Sequence, residues 1–140
     1  MTYLLDTCLI SELVAKQPNQ RVVDWLDAQS PEALCLSVIT IGEIAKGISK
    51  LVASQRKDSL TIWLNETLPA RFAGRIIGID FATMVLWGEL VGQLERQGRV
   101  LPIIDSLIAA IALQNSLQLV TRNESDFAGT GVIIINPWLG

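Results

Sequence analysis

The chain holds 14 acidic residues and no histidine, so any chemistry it performs starts from carboxylates. Without imidazole there is no Ser-His-Asp or Cys-His nucleophile system and no histidine-ligated zinc. Two cysteines, Cys8 and Cys35, are too few for a disulfide framework or a four-thiolate site. Both read as small buried hydrophobes in a reducing compartment. Four acids stand apart by position: Asp6 closes an apolar run, Glu43 lies early in a helical stretch, Asp105 opens another, and Asp126 follows a later apolar run. Clustered oxygen donors of this kind suit hard divalent cations such as Mg2+ and Mn2+. A cation so held lowers the pKa of its water and stabilises a leaving oxygen, which is a route to phosphodiester hydrolysis that needs no histidine.

Such a site exists only if the elements converge. Half of the 140 residues are apolar, 18% are charged and the mean hydropathy is +0.41, which excludes disorder. That length fits one domain with a full core, and no linker, repeat or composition shift divides it. Apolar runs at residues 2–5, 34–36, 75–79, 117–120 and 132–135 predict five short buried strands. Helical spacing fills the gaps: residues 8–15, a stretch opened by Pro18 and broken by Pro31, and a long helix from Ser37 to about residue 53. Charged residues 54–58 predict a solvated break, followed by a helix through Ile62, Trp63 and Leu68 that ends before Pro69. Asp80 caps a further helix through Leu94 with Gly98 as its stop, and Pro102 precedes the last, residues 103–115. This alternation predicts an α/β fold with a parallel sheet covered on both faces. The uncharged stretch 106–121 falls short of the roughly 20 apolar residues of a membrane span. Asp6 interrupts the first apolar run, so no secretory signal and a cytoplasmic location are expected.

Ligands of open parallel sheets bind at the carboxyl ends of the strands. There Asp6, Glu43, Asp105 and Asp126 would meet. Each alone has a plainer role: a helix cap for Asp6, a capping box with Thr40 for Glu43, the first turn of its own helix for Asp105, a solvated turn for Asp126. Jointly they are costly. Two carboxylates 4 Å apart repel by about 1 kcal/mol in water and about 4 kcal/mol near a protein surface, so four in one pocket call for a cation. The net charge of −3 argues against electrostatic binding of nucleic acid by the bare protein, and a bound cation would reverse that locally.

The segments YLLDTCLISE (residues 3–12), LSVITIGEIAKG (36–47), IDSLIAA (104–110) and TRNESDF (121–127) resemble, in order and spacing, the four motifs of PIN-domain ribonucleases. The ending INPW (135–138) is similar to that of the VapC toxin branch. The resemblance spans nearly the whole chain and implies a single PIN-like nuclease domain over residues 1–140, a three-layer α/β/α sandwich around a parallel five-stranded sheet. It also implies an Mg2+- or Mn2+-dependent endoribonuclease acting as the toxin of a toxin–antitoxin pair. Asp6 and Asp105 would be the main metal ligands, Glu43 would complete the first site and Asp126 would serve a second. The implied partners are an RNA substrate, a VapB-like antitoxin through which alone DNA would be reached, and a second copy in a homodimer. One position departs. The family commonly places Asn two residues after the first Asp, where this chain has Cys8, and a thiol orients a carboxylate or water less well than an amide. Altered metal affinity rather than a dead site is expected, since such changes cost roughly 10–100-fold.

Several further residues have two readings. Thr7, Thr40 and Thr121 serve either the carboxylates and metal-bound water or ordinary caps and turns. Lys46 follows Glu43 on nearly the same helix face, for a scissile phosphate or a surface ion pair. Arg122 and Asn123 are candidates for the RNA backbone; Lys50, Arg56 and Lys57 form a basic lip or a solvated helix end. Glu12 reads as an outer or surface group, and Trp25, Trp63, Trp87 and Trp138 as core or dimer packing rather than base stacking. Two other functions compete. A non-catalytic PIN-like module that binds protein or RNA would be favoured by a missing acid, yet all four are present. Phosphotransfer through an aspartyl nucleophile wants Asp-x-Asp after the first strand, and the chain has Cys8 at the second position.

Overall fold

A computed structural model describes residues 1–140. Its five strands are β1 (Tyr3–Leu5), β2 (Leu34–Ser37), β3 (Ile76–Ile77), β4 (Gln118–Val120) and β5 (Ile134–Ile135). They form one sheet in the order β3-β2-β1-β4-β5, and every pair is parallel. The pleat sorts the side chains. Leu4, paired with Cys35 and Leu119, points to one face, while Leu5, paired with Val120, points to the other beside Leu34 and Leu36.

Each face has its own core. On the first, α6 (Phe81–Arg96) and α7 (Ile103–Gln114) supply Leu90, Leu94, Ile108 and Ile111. Ala109, Ala110 and Ala112 are fully buried, and their small side chains let α7 lie close against its neighbours. The second face is covered by α1 (Thr7–Leu13), α2 (Gln20–Asp27), α3 (Val38–Ser49), α4 (Gln55–Ile62) and α5 (Leu68–Arg71), with Leu9, Ile10, Val22, Leu26, Ile44, Ile48, Leu68 and Phe72 inside. Burying each such side chain stabilises the fold by about 1.5–3 kcal/mol. The three layers are as expected. No helix is long and apolar enough to cross a membrane.

Several boundaries differ from the sequence expectations. The helix after Ser37 stops at Ser49, not near residue 53, because Lys57 Nζ donates to the carbonyls of Ser49 (3.5 Å) and Leu51 (3.0 Å). Residues 54–58 are no break: the Ser54 hydroxyl accepts from the Lys57 amide at 3.1 Å and caps α4. Pro69 does not end the following helix. Residues Trp63–Thr67 wind as a π-turn, closed by the Leu68 amide on the Trp63 carbonyl, and this wider turn accommodates a ring that offers no N–H. Asn19 rather than Pro18 opens α2, its side chain accepting from Arg21 N–H at 2.9 Å. The third and fifth strands pair over only two residues each. The caps at Asp80 and Gly98 are as expected, with φ +79° at the glycine.

From β1 the chain moves to β2 and β3 on one side, then returns to β4 and β5 on the other. The carboxyl ends of β1 and β4 therefore flank the point where the strand order reverses, which is where open parallel sheets bind their ligands.

Candidate active site

Asp6 is the first residue past β1 and the N-cap of α1, with extended φ/ψ of −71° and 161°. Both its oxygens are held: Oδ1 accepts the Thr7 amide and Oδ2 accepts the Thr121 hydroxyl, each at 2.8 Å. The residue is only 6% exposed. Burial raises its pKa above the ordinary aspartate value and the charge of Glu43 adds to that, against lowering by the hydrogen bonds from Thr121, Thr7 and Cys8. Thr121 is itself buried just past β4, its amide donating to the Ile135 carbonyl at 3.0 Å. A hydroxyl past the end of β4 thus fixes a carboxylate past the end of β1. The Cys8 sulfur lies 3.4 Å from Thr121 Oγ1 and 3.8 Å from Asp6 Oδ2, and burial raises the pKa of its thiol.

Glu43 arrives on α3. Its cap is Ser37, whose hydroxyl accepts from the Thr40 amide at 3.2 Å. Thr40 and Glu43 are therefore both inside the helix, and the capping box considered from sequence does not form. Instead Glu43 Oε1 accepts the Thr7 hydroxyl at 2.5 Å, and the buried Thr40 Oγ1 lies 3.1 Å from Thr7 Oγ1. Thr7 links the two acids: its amide holds Asp6 and its hydroxyl holds Glu43.

Asp105 sits in the first turn of α7, whose N-cap, Pro102, offers no side-chain hydrogen bond. Burial raises its pKa, and so do the charges of Asp126, Asp6 and Glu43, in that order. Asp126 rides on a 3-10 turn, Glu124–Phe127, and faces solvent. That turn is tied down by Arg99, which donates to the carbonyls of Ala128, Ser125 and Asp126. Gly129 beside it has φ +82°, and a Cβ there would meet Arg99 Nη1 at 3.0 Å, so the approach needs glycine. The four acids thus come from four segments, with the Glu43 charge acting on Asp6 and the other three acting on Asp105. No three of them stand at ligand distance around one point. As donors they fit a hard divalent cation: every group is oxygen, and Asp6 Oδ1 retains a lone pair beyond its one hydrogen bond from the Thr7 amide, while Oδ2 takes both the Thr121 hydroxyl and the weak Cys8 thiol.

The PIN-domain family model matches residues 3–132. The chain belongs to the PIN-domain family. It is 39% identical over 135 residues to the plasmid stability protein StbB of Pseudomonas syringae pv. tomato, covering 96% of this chain and 97% of that one. Toxin FitB of Neisseria gonorrhoeae is 36% identical over the same shares, and the VapC ribonuclease Y4jK of Sinorhizobium fredii is 38% identical over 96% of each chain. The solved FitAcB structure from Neisseria gonorrhoeae superposes with a TM-score of 0.92 at 36% identity, over 98% of this chain and 99% of the other. FitAB bound to an IR36 DNA fragment matches at the same TM-score and 34% identity, over 98% and 96%.

The remaining candidate residues of this PIN domain divide. Lys46 lies with Glu43 and Lys50 along one groove, floored by Val38, Ile39 and Ile104. Asn123 is exposed, its amide donating to Thr121 Oγ1 at 3.1 Å. The Arg122 guanidinium stands 5.2 Å from the centre of the Trp138 ring. Arg56 donates to the Val14 carbonyl, and Lys57 closes α3, so both serve helix ends. Glu12 accepts the Asn19 amide at 2.6 Å and braces the α1–α2 corner. Trp25 packs edge-on against Tyr3 and Trp87 donates to Ser106, in keeping with packing roles. Sequence reasoning placed the start of α3 at Ser37 without giving its hydroxyl the cap, and did not find Arg99. Ser37 stands at the junction of an apolar strand and a helix, a recognisable cap position, whereas nothing local to Arg99 signals that it reaches a turn more than 25 residues away.

Proposed function

We propose that this PIN domain, residues 1–140 acting as one unit, is an Mg2+- or Mn2+-dependent endoribonuclease and the toxin of a toxin–antitoxin pair in the cytoplasm. The observation that carries this is the gathering of Asp6, Glu43, Asp105 and Asp126 towards the carboxyl end of the sheet, where burial and then the charges of the other three raise the pKa of Asp105, in a chain without histidine. Relatives named toxin and ribonuclease support it, as do the FitAcB and FitAB–DNA structures. By that likeness the partner is a small antitoxin that reaches DNA, and the family resemblance adds a homodimer.

Asp6 and Asp105 would hold the first ion with Glu43, and Asp126 would serve a second. The bound ion supplies an acidified water and stabilises charge developing on the phosphate. The protein's own part is orientation. Thr121 and the Thr7 amide fix the two oxygens of Asp6, and the Thr7 hydroxyl fixes Glu43. Lys46, one turn along α3 from Glu43, is placed to meet a phosphate at the groove.

The test is cleavage of total cellular RNA by antitoxin-free protein with Mg2+, Mn2+ or EDTA, beside Asp6→Asn. Discrete fragments that require metal and vanish in the variant are expected. Uncut RNA with folded, inhibitor-free protein would overturn the enzyme and leave a binding module. A variant that cuts as well as wild type would overturn the carboxylate mechanism.

A further inference from the structure

A protein of net charge −3 that handles RNA must place its few cations well. Most of its arginines are spent on its own backbone. Arg21 donates to Trp138 O, Arg56 to Val14 O, Arg75 to Leu34 O and Arg71 O, and Arg99 to the turn at 125–128. Arg71, over the Phe72 ring, Arg96 and Arg122 are not so spent, and of these Arg122 is the one beside the carboxylates. It follows Thr121, the residue that holds Asp6, its side chain is exposed, and its guanidinium donates to no protein acceptor. It rests instead over the Trp138 ring, 5.2 Å from the centroid. Its place in the chain, next to the residue whose hydroxyl holds Asp6 Oδ2, sets it at the rim of the carboxylate site.

Trp138 is built into that position. Its amide donates to Asn136 Oδ1 at 3.0 Å, and Asn136 Nδ2 donates to Glu124 Oε2 at 3.0 Å, which ties the chain end to the turn that carries Asp126. The indole N–H is buried and finds no partner. A phenylalanine would fill the space without that cost. What tryptophan adds is the best aromatic face for a cation.

We propose that Arg122 grips a backbone phosphate of the RNA beside the carboxylate cluster, and that Trp138, set by Asn136, is the positioning residue that holds the guanidinium ready. This rests on the ribonuclease reading. A stacked guanidinium keeps its N–H edge free, and that edge matches two phosphate oxygens. Pre-ordering on the ring removes rotamer freedom that binding would otherwise have to remove.

The experiment measures initial cleavage rates on total bacterial RNA, in nucleotide concentration, across a salt series, with melting temperatures for every protein. Arg122→Ala should raise KM about tenfold with kcat within about twofold. The slope of log(kcat/KM) against log salt should flatten by about 0.7–0.9, the counterion release of one phosphate contact. Arg122→Lys should recover most of the slope. Trp138→Leu should raise KM about threefold, and Trp138→Phe, which keeps a weaker ring face and reports on folding, should fall between Leu and wild type. Unchanged KM and slope in Arg122→Ala, or a fall in kcat alone, would overturn the grip and leave the stack as a seal for the chain end. Equal KM for Trp138→Leu and Trp138→Phe would overturn the positioning role. Should wild-type protein fail to cut in metal, the ribonuclease reading falls and the grip with it, a result distinct from cutting that ignores Arg122.

Discussion

The two cysteines mark two regions run on different terms. Cys35 lies in β2, inside the core between the sheet and α6–α7, and its thiol donates to the Tyr3 carbonyl at 3.1 Å. Burial pushes it up to about 11, and it is inert packing. Cys8 lies three residues past the carboxyl end of β1, in the first turn of α1, with a carboxylate and a hydroxyl for neighbours. In the core every layer is apolar and every contact favours folding. At the sheet edge, like charges are held partly buried, and burial and mutual repulsion raise the pKa of two of them. Carboxylates perturbed by burial and by one another are what a candidate functional site presents. The molecule stabilises itself in its two cores and accepts destabilisation at the edge between them.

The strongest way to break this contrast is to exchange the costs. Phe72, 1% exposed, anchors the second core, and Phe72→Ala should lose about 3–5 kcal/mol of stability while each folded molecule keeps its activity. Asp6→Asn should do the reverse. Cleavage should fall by on the order of 10^3 or more. The metal-free melting temperature should not drop, because the amide oxygen still accepts from Thr7 and the opposed charge is gone. Denaturant melts and cleavage rates on both variants decide it. If Asp6→Asn melted as low as Phe72→Ala, the edge would be structural after all.

Acidification separates the regions next. Asp6 and Asp105 have pKa values raised in the folded state, so the native protein binds protons that the unfolded chain has already released. Stability then falls as pH climbs from the ordinary carboxylate range through the raised values, and is recovered on acidification. The groups facing Asp6 are Glu43, Asp105, Cys8, Thr121 and the backbone of Thr7, and none is a cation that would reverse the sign. The difference in metal-free melting temperature between Asp6→Asn and wild type should therefore grow with pH across that window and then level. Saturating Mn2+ should shrink it by stabilising wild type selectively. A difference flat in pH would mean that burial of Asp6 carries no electrostatic cost.

How much of this was legible in the sequence follows the same divide. The sheet and both cores could be read because period-2 and period-3.6 patterns state them directly: Leu4 and Leu5 point opposite ways whatever else happens. The motif acids could be placed at the edge because strand ends are where such sheets bind. Their orienting bonds were not legible. Thr7 joining Asp6 to Glu43 spans 36 residues and Thr121 on Asp6 spans 115, and no local pattern encodes a contact of that separation. The capping box failed for a local reason, since Ser37 outcompeted Thr40 by standing at the strand–helix junction. Pro69 misled because a π-turn upstream absorbed it.

Arg99 sharpens the contrast, as a core-like brace serving the edge. Its bonds to the 125–128 carbonyls hold the turn that presents Asp126. Arg99→Ala should cost about 1–2 kcal/mol in stability and weaken the binding of a second Mn2+ by about tenfold, with the first ion little changed. Titration calorimetry resolves the two events. Equal weakening of both ions would show that the turn supports the whole site.

The smallest expected effect lies at Cys8, where the family commonly has Asn. The thiol is a poor donor, so the task of orienting Asp6 falls to Thr121, whose hydroxyl is already 2.8 Å from Oδ2. In Cys8→Asn an amide N–H becomes available beside the same oxygen, and the first Mn2+ should bind tighter by a few-fold, at most about tenfold. The gain is small because a good donor is already in place. It carries a cost as well. An amide brings more polar groups into a spot that the thiol fills as a small hydrophobe, and any N–H left unpaired costs about 1–3 kcal/mol, so metal-free stability should dip while affinity rises. A tenfold gain without loss of stability would mean the thiol leaves Asp6 under-oriented. No gain at all would mean that Thr121 suffices, and that this chain keeps its edge ordered with a hydroxyl from the opposite strand rather than an amide from the first helix.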